Sequence, residues 1–246
     1  MSTNSPRHSE NVVNFGVLYS RTASFGSGYN PSNPLYTTTN LKLIKTNGES
    51  ALATVNTAEM NNKKAISMQS LSFEGFDQYI TRISNTLNIC GASSQVIEQG
   101  QSIIRQLRGQ RVSELLSDKE IAAAKEKGDE SKQNTIHNST MNIKIDNLGK
   151  LIAFLKTVPE YKPNETDLTI SSLEEKIQDL KTKRDAVTDT KTALDVARSN
   201  RNNILYKKDT GLVDIALSIK QYVKAVFGAG SNEYKQISRI PFINLE

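Results

Sequence analysis

Apolar side chains recur at steps of three and four residues along the C-terminal half of the chain. Charged residues fill the other positions in "EEKIQDLKTKRDAVTDTK". Ser171 and Glu174 stand at the spacing of a capping box at the start of this pattern. The pattern predicts one helix over residues 170–206, on the order of 50 Å long at about 1.5 Å per residue. Its apolar positions are Leu173, Ile177, Leu180, Val187 and Leu194.

The N-terminal half contains a matching stretch whose repeating side chains are smaller. They keep the steps of three and four residues, which approximate a heptad repeat. Small side chains in such a seam let a neighbouring helix approach closely, so the pattern predicts a bundle or a coiled coil. The positions are Leu41, Ile44, Gly48, Ala51, Val55, Ala58 and Ala65.

Each long helix is followed by shorter predicted helices. Residues 211–227 carry an apolar face, with Asp209 or Thr210 as the expected N-cap and Gly228 as the end. A last short helix begins near Ser231, and the N-terminal counterparts cover about 72–89 and 94–109. The apolar face consists of Leu212, Ile215, Ala216, Ile219, Tyr222, Val223, Val226 and Phe227.

Several phrases occur twice in the same order. "YNPSNPL" from residue 29 matches "YKPNETDL" from residue 161, and "CGASS" from 90 matches "FGAGS" from 227. "NFGVLYS" from 14 matches "NLGKLIA" from 147, and since the latter has helical spacing we read both as short opening helices, although "NVVNFGVLY" alone resembles a strand. These matches indicate a duplication. Two unrelated helical segments that share common capping residues are the alternative.

The predicted fold is therefore all-α, a pseudo-symmetric helical bundle of two repeats. Each repeat has a short opening helix, one long helix and one or two following helices. The predicted divisions are a polar N-terminal tail (1–10), repeat 1 (11–111), a charged crossover (112–141), repeat 2 (142–240) and a C-terminal tail (241–246).

Composition agrees with a helical protein. The 246 residues include no tryptophan, 13 glycines and 6 prolines, and 23% are charged. The chain has neither an apolar run of membrane-spanning length nor a secretory signal pattern, so we expect a cytoplasmic protein, with non-classical export left open. The net charge of +5 permits contact with polyanions or acidic membranes without requiring it.

Residues with catalytic chemistry are few. The single cysteine, Cys90, is expected to be a small buried apolar residue, and His8 and His137 are expected to be solvated. The sequence contains no phosphate-cradling loop, no zinc-protease motif and no Glu-x-x-His pair. We therefore expect a non-enzyme and assign no catalytic, cofactor-binding or metal-binding residue.

Two groups of cations and one amphipathic helix suggest further classes of partner. The cations are expected to be solvated helix faces, because aromatic platforms for nucleic-acid bases do not accompany them. The helix at 211–227 is amphipathic enough for membrane insertion, but its polar face mixes charges of both signs. The cations are Arg105, Arg108 and Arg111 in one group, and Arg198, Arg201, Lys207 and Lys208 in the other.

The repeated phrases resemble a family of uncharacterised bacterial all-helical proteins with no assigned activity. Its members have a "YNPSN" block before an alanine-rich helix, "GASS" after a second helix, and a C-terminal run similar to residues 205–242. The resemblance covers nearly the whole chain and implies an all-helical fold without implying any site residue. Gly48 and "EMNNKK" depart from the alanine-rich seam, which puts tight packing there in doubt.

The sequence is most consistent with a non-enzymatic structural or protein-interaction protein that binds a partner or copies of itself. A membrane-active helical protein, similar to pore-forming toxins, is the first alternative. A weak nucleic-acid binder is the second.

Overall fold

The computed structural model describes residues 5–108 and 130–245, and every regular element in these ranges is helical. Short 3-10 turns lie at Gly26–Gly28, Pro34–Tyr36 and Thr166–Leu168. The predicted all-α fold is confirmed. The helices are α1 (Ser5–Ser24), α2 (Thr38–Ser72), α3 (Phe76–Ile89), α4 (Ser94–Leu107), α5 (Glu130–Leu155), α6 (Ile170–Tyr206), α7 (Leu212–Phe227) and α8 (Asn232–Ser238).

The long C-terminal helix α6 has the predicted bounds, whereas the two opening helices are longer than predicted. α1 has 20 residues and α5 has 26. α1 already begins at Ser5, so much of the predicted N-terminal tail belongs to a helix. Of the predicted crossover, residues 112–129 lie outside the described residues, and α5 contains the rest.

The start of α6 differs from the predicted capping box. Thr169 is the cap, because its Oγ1 accepts a hydrogen bond from the amide of Ser172 at 3.4 Å. Ser171 and Glu174 do not form the box, and Glu174 instead pairs with Lys156. Since several hydroxyl residues stand side by side here, sequence spacing alone selected the wrong one.

The ends of α7 are set by two glycines. Gly211 occupies the N-cap position that we predicted for Asp209 or Thr210. The carboxylate of Asp214 accepts a hydrogen bond from the amide of Asp209 at 2.8 Å, which links the preceding loop to the first turn. The helix ends at Gly228 as predicted, with φ 89° and ψ 154°. This backbone conformation is open mainly to glycine.

The chain divides into two compact units. The first is built from two separate stretches of sequence and the second from one. Unit 1 comprises Met1–Lys64 and Asp189–Glu246, and unit 2 comprises Ala65–Thr188. The boundaries fall inside α2 and α6. The units therefore do not follow the predicted repeats, and the division by repeats remains a prediction about how the sequence arose.

The core of unit 1 gathers α1, α7 and the adjoining ends of α2, α6 and α8. A smaller cluster in the same unit joins Val55 of α2 with Leu194 and Ala197 of α6. Burial of these apolar side chains supplies the main stabilisation. The larger core contains Val12, Phe15, Leu18, Tyr29, Leu41, Leu205, Tyr206, Leu212, Val213, Ile215, Ala216, Ile219, Val223 and Ile237.

The core of unit 2 lies among α3, α4, α5 and the first half of α6. At one point Gly100 of α4 lets Leu87 and the ring of Phe154 approach its backbone: a Cβ there would lie 2.4 Å from the Leu87 side chain and 2.8 Å from the Phe154 ring. The buried residues are Phe76, Ile80, Ile83, Leu87, Ile104, Leu107, Ile145, Leu148, Leu151, Ile152, Leu155, Val158, Tyr161, Leu168, Leu173, Ile177 and Leu180.

Within the described ranges, the helices lack the length of apolar sequence that crossing a bilayer would take.

Replacing Gly100 by alanine is expected to destabilise the protein. Alanine favours a helix by about 1 kcal/mol over glycine, but the new methyl group would overlap Leu87 and Phe154, and overpacking costs about 1–3 kcal/mol. The matched control is Gly16→Ala in α1, where the new methyl group meets only the flexible end of Lys45 at 3.2 Å. Urea unfolding should show a lower stability for Gly100→Ala and an unchanged or higher stability for Gly16→Ala. Equal effects would contradict the packing described for Gly100.

Candidate interaction groove

Helix α1 buries one face in the core of unit 1. Phe15 and Leu18 are fully enclosed, and Thr22 continues the same face with no exposed surface. The hydroxyl of Thr22 donates to the carbonyl of Tyr19 at 2.9 Å, so this buried polar group has a partner. These contacts fix one side of α1 against α7 and α8.

The same face of α1 and its flank hold the C-terminal segment by hydrogen bonds to its backbone. Asn11 donates to the carbonyl of Ile243 at 2.7 Å and accepts from the amide of the same residue at 3.0 Å. Asn14 donates to the carbonyl of Pro241 at 2.9 Å. From the other side, Lys220 of α7 donates to the carbonyl of Ser238 at 3.3 Å. The predicted C-terminal tail is therefore attached to unit 1 through residue 243.

The opposite face of α1 is uncovered although it carries valines. Val13 is 63% exposed and Val17 is 43% exposed. With α2 they border a groove of about 650 Å³. The α1 wall consists of Ser9, Val12, Val13, Gly16, Val17, Ser20 and Arg21, and the α2 wall of Lys45, Glu49, Leu52, Ala53 and Asn56.

One glycine of α2 sets the distance between the walls of the groove. A Cβ on Gly48 would lie 3.2 Å from both Val12 and Leu212, so the missing side chain is what admits these residues. Gly16 does not have this role, because a Cβ there would meet only the flexible end of Lys45. Gly48 is buried. The doubt about packing at Gly48 is therefore wrong, because this glycine marks a close approach of α1 to α2.

Charge is unevenly distributed around the groove. Lys45 pairs with Glu49 at 2.8 Å within α2, so these two side chains largely cancel. Arg21, at the C-terminal end of α1, donates to the neutral side chain of Gln236 at 3.3 Å. The groove thus has one end with an uncompensated positive charge.

A second, smaller recess lies between α2 and α6 within unit 1. Its volume is about 440 Å³, and its walls are small residues. Ala53 belongs to both the recess and the groove. The other lining residues are Ser50, Thr54, Thr57, Ala58, Asn61, Thr190, Ala193 and Ala197.

The expectation that His8 is solvated is wrong. His8 is only 6% exposed, and its Nδ1 lies 2.6 Å from the hydroxyl of Tyr206. Asn11 donates to the same hydroxyl at 3.3 Å, so the tyrosine proton is directed at Nδ1, which accepts it in the neutral ring. Burial, and to a smaller extent the charge of Arg201, lower the pKa of His8. The sequence around His8 is polar, and only residues nearly two hundred positions away enclose it.

Cys90 is half-buried, and its thiol donates to the carbonyl of Leu87 at 3.1 Å. It packs at the edge of the unit 2 core, so it is less enclosed than predicted. In the described ranges, no three histidine, cysteine, aspartate or glutamate side chains are grouped as metal ligands would be. The side chain of His137 lies outside the described residues.

The cations of the two predicted groups have different environments in the structure. Arg108 donates to the hydroxyl of Thr81 at 3.0 Å, and Arg111 lies outside the described residues. Arg198 pairs with Glu59 at 3.3 Å. Arg201 donates to the Asn202 side chain at 2.7 Å. Three cations remain exposed without such partners in the described structure: Arg105, Lys207 and Lys208.

Comparison of the chain with protein-family models, with curated proteins and with solved structures found no match. The resemblance to bacterial helical proteins therefore stays a prediction, and the groove must be interpreted from its own residues.

The stability of the protein is expected to fall as the pH decreases below about 7, through the range in which His8 of the unfolded chain takes up its proton. His8 titrates near 6.5 in the unfolded chain and at a lower pH in the folded one. The unfolded state therefore binds the proton first, and the free energy of unfolding decreases through this window and levels off below the lowered pKa. Urea unfolding at several pH values measures the effect.

His8→Gln should flatten this part of the pH profile, because the titrating group is gone. His137→Gln is the matched control, since it removes the other histidine of the chain. A profile that His8→Gln leaves unchanged would contradict the role of the buried histidine.

Proposed function

We propose that the protein is a non-enzymatic helical protein that binds a helix of another protein in the groove between α1 and α2. The observation that supports this most directly is the exposure of Val13 and Val17 beside Leu52 and Ala53, in a groove bordered by two helices. The exposed valines lie between polar residues and offer apolar surface that a partner helix can bury.

The spacing of the lining residues favours a helix as the occupant. Along α1 they follow steps of three and four from Ser9 to Ser20, and along α2 from Lys45 to Asn56. Two walls with this spacing offer the holes into which the side chains of a third helix fit. The walls are about 18 Å long, which matches roughly three turns of helix. Helix-in-groove binding is an established mode of recognition.

We also propose that the chain arose by duplication of a helical module. Tyr29 donates its hydroxyl proton to the carbonyl of Tyr36 at 2.6 Å, and Tyr161 donates to that of Leu168 at 3.1 Å. Both bonds close a loop of the same length before a long helix. Burial raises the pKa of both tyrosines, that of Tyr161 to about 12.

The caps of the two long helices support the same proposal. Thr37 donates to the carbonyl of Pro34 at 3.0 Å, and Thr169 donates to that of Thr166 at 3.0 Å. Each threonine also accepts from the amide three residues ahead, at 3.4 Å. Shared capping residues are common, but a shared set of hydrogen bonds at one sequence offset is less so.

Tyr29→Phe and Tyr161→Phe are expected to destabilise the protein by similar amounts, about 1 kcal/mol each, because each leaves a backbone carbonyl without its donor. Urea unfolding measures both. Tyr19→Phe is the control, since Tyr19 lies outside the repeated loop. The duplication proposal fails if an experimental structure shows that residues 29–89 and 161–227 cannot be superposed helix for helix.

Val13→Asp is expected to weaken partner binding at least tenfold while leaving the fold intact. A charge in the groove would have to be desolvated when a helix binds, whereas a substitution at an exposed position usually changes stability by less than about 0.5 kcal/mol. Val196→Asp is the matched control, because Val196 is 54% exposed and lies outside both the groove and the smaller recess. A photoreactive amino acid at position 17, in the cells that produce the protein, crosslinks and identifies the partner. The affinity between the purified protein and this partner is then measured by calorimetry.

Equal binding by Val13→Asp, Val196→Asp and the unchanged protein would exclude the groove as the binding site. Crosslinks only between copies of this chain, together with a dimer in analytical ultracentrifugation, would replace the partner by self-association. Leakage of liposomes or binding to single-stranded DNA that Val13→Asp does not affect would favour the membrane or nucleic-acid alternative.

A further inference from the structure

We infer that the groove selects a helix with acidic side chains at one end, the end that lies beside Arg21. The inference rests on the groove being the binding site proposed above. It names the chemistry of the partner, which the apolar walls alone do not determine.

The positive end of the groove extends beyond Arg21. Arg21 contacts Gln236 of α8, and the same exposed side of α8 carries Lys235 and Arg239. These residues span about 100° of the helix circumference. We call Arg21, Lys235 and Arg239 the basic end. Within the described residues, none of the three lies within ion-pairing distance of a carboxylate.

The nearest acid in sequence does not cancel this charge. Glu233 lies one turn before buried Ile237, on the side of α8 that faces the core. It is about 160° around the helix from Lys235 and about 120° from Arg239. Glu233 is about 60° from Gln236 and lies on the side away from Lys235 and Arg239. Lys235 and Arg239 therefore stay exposed to solvent, and Arg21 lies at the mouth of the groove.

The opposite end of the groove carries no lining cation. Ser9 and Asn56 are the last lining residues there, and both are neutral. Between the ends, Lys45 is paired with Glu49. Beside Ser9 the exposed charges of Arg7 and Glu10 have opposite signs and stand three residues apart, so this end has no net charge. The groove is thus apolar in the middle, without net charge at one end and positive at the other. A helix with acidic residues at one terminus complements this arrangement in a single orientation, since charge complementarity governs register and specificity more than total affinity.

A displayed peptide library tests the inference directly. Helical peptides of about 16 residues carry leucine and alanine at heptad spacing on one face, with the terminal positions randomised among glutamate, lysine and serine. Selection on the full chain at low salt is expected to enrich glutamate at one terminus. Binding of a selected peptide should weaken about tenfold between low and high salt, because the cations are exposed.

Reversing the basic end should reverse the preference. The variant Arg21→Glu/Lys235→Glu/Arg239→Glu is expected to select lysine at the same terminus and to bind the acidic peptide at least tenfold more weakly. Lys207→Glu/Lys208→Glu, which changes exposed cations outside the groove, is the matched control and should keep the preference for glutamate. If circular dichroism shows that the triple variant does not fold, Arg21→Gln replaces it. Weaker binding of the acidic peptide by Arg21→Gln, together with the salt dependence of the unchanged protein, then tests the charge preference.

The outcomes separate this inference from the proposed function. Peptides that bind, are blocked by Val13→Asp and show no charge preference, or a preference for lysine, would overturn the inference and leave the groove as a helix-binding site. Peptides that Val13→Asp does not affect would remove the groove itself. Binding of the unchanged protein to anionic vesicles that the triple variant loses, with no enrichment of glutamate in the library, would assign the basic end to anionic lipid and overturn the inference.

Discussion

The position of α1 depends on hydrogen bonds between its side chains and the backbone of the C-terminal segment. α1 carries apolar side chains on opposite sides, with Phe15 and Leu18 on one and Val13 and Val17 on the other. Hydrophobic burial favours the rotation that encloses the larger pair. Asn11 supports the same rotation, because it lies on that side of the helix and its buried amide bonds both to residue 243 and to the hydroxyl of Tyr206. The uncovered valines and the groove follow from that rotation.

Much of the fold was predictable because helical periodicity is a local property. The 3.6-residue repeat of apolar positions gave the length of α6, and Gly228 gave the end of α7. The caps were harder to predict, since Thr169, Ser171 and Ser172 compete within four positions. Only Thr169 has the extended backbone that capping requires, together with an amide three residues ahead that its hydroxyl can accept from.

The groove and the buried histidine were not predictable, for a different reason. Each depends on residues that are far apart in sequence and become neighbours only in the folded unit. In the sequence, Val13 and Val17 look like core positions of an apolar helix. The neighbouring residues do not indicate that α2 leaves these two valines uncovered. His8 stands among polar residues, and its environment is supplied by Tyr206. The positive end of the groove likewise needs Arg21 to meet α8.

The contact between Asn11 and Ile243 has a consequence for biosynthesis. These residues are separated by 232 positions, so the ribosome completes α1 long before the segment that clamps it. At roughly 20 residues per second the delay is at least about 10 s. Unit 2 is continuous in sequence and is finished earlier. During the delay Phe15 and Leu18 lack the α7 residues that enclose them in the folded unit, so α1 leaves the ribosome before its core is complete.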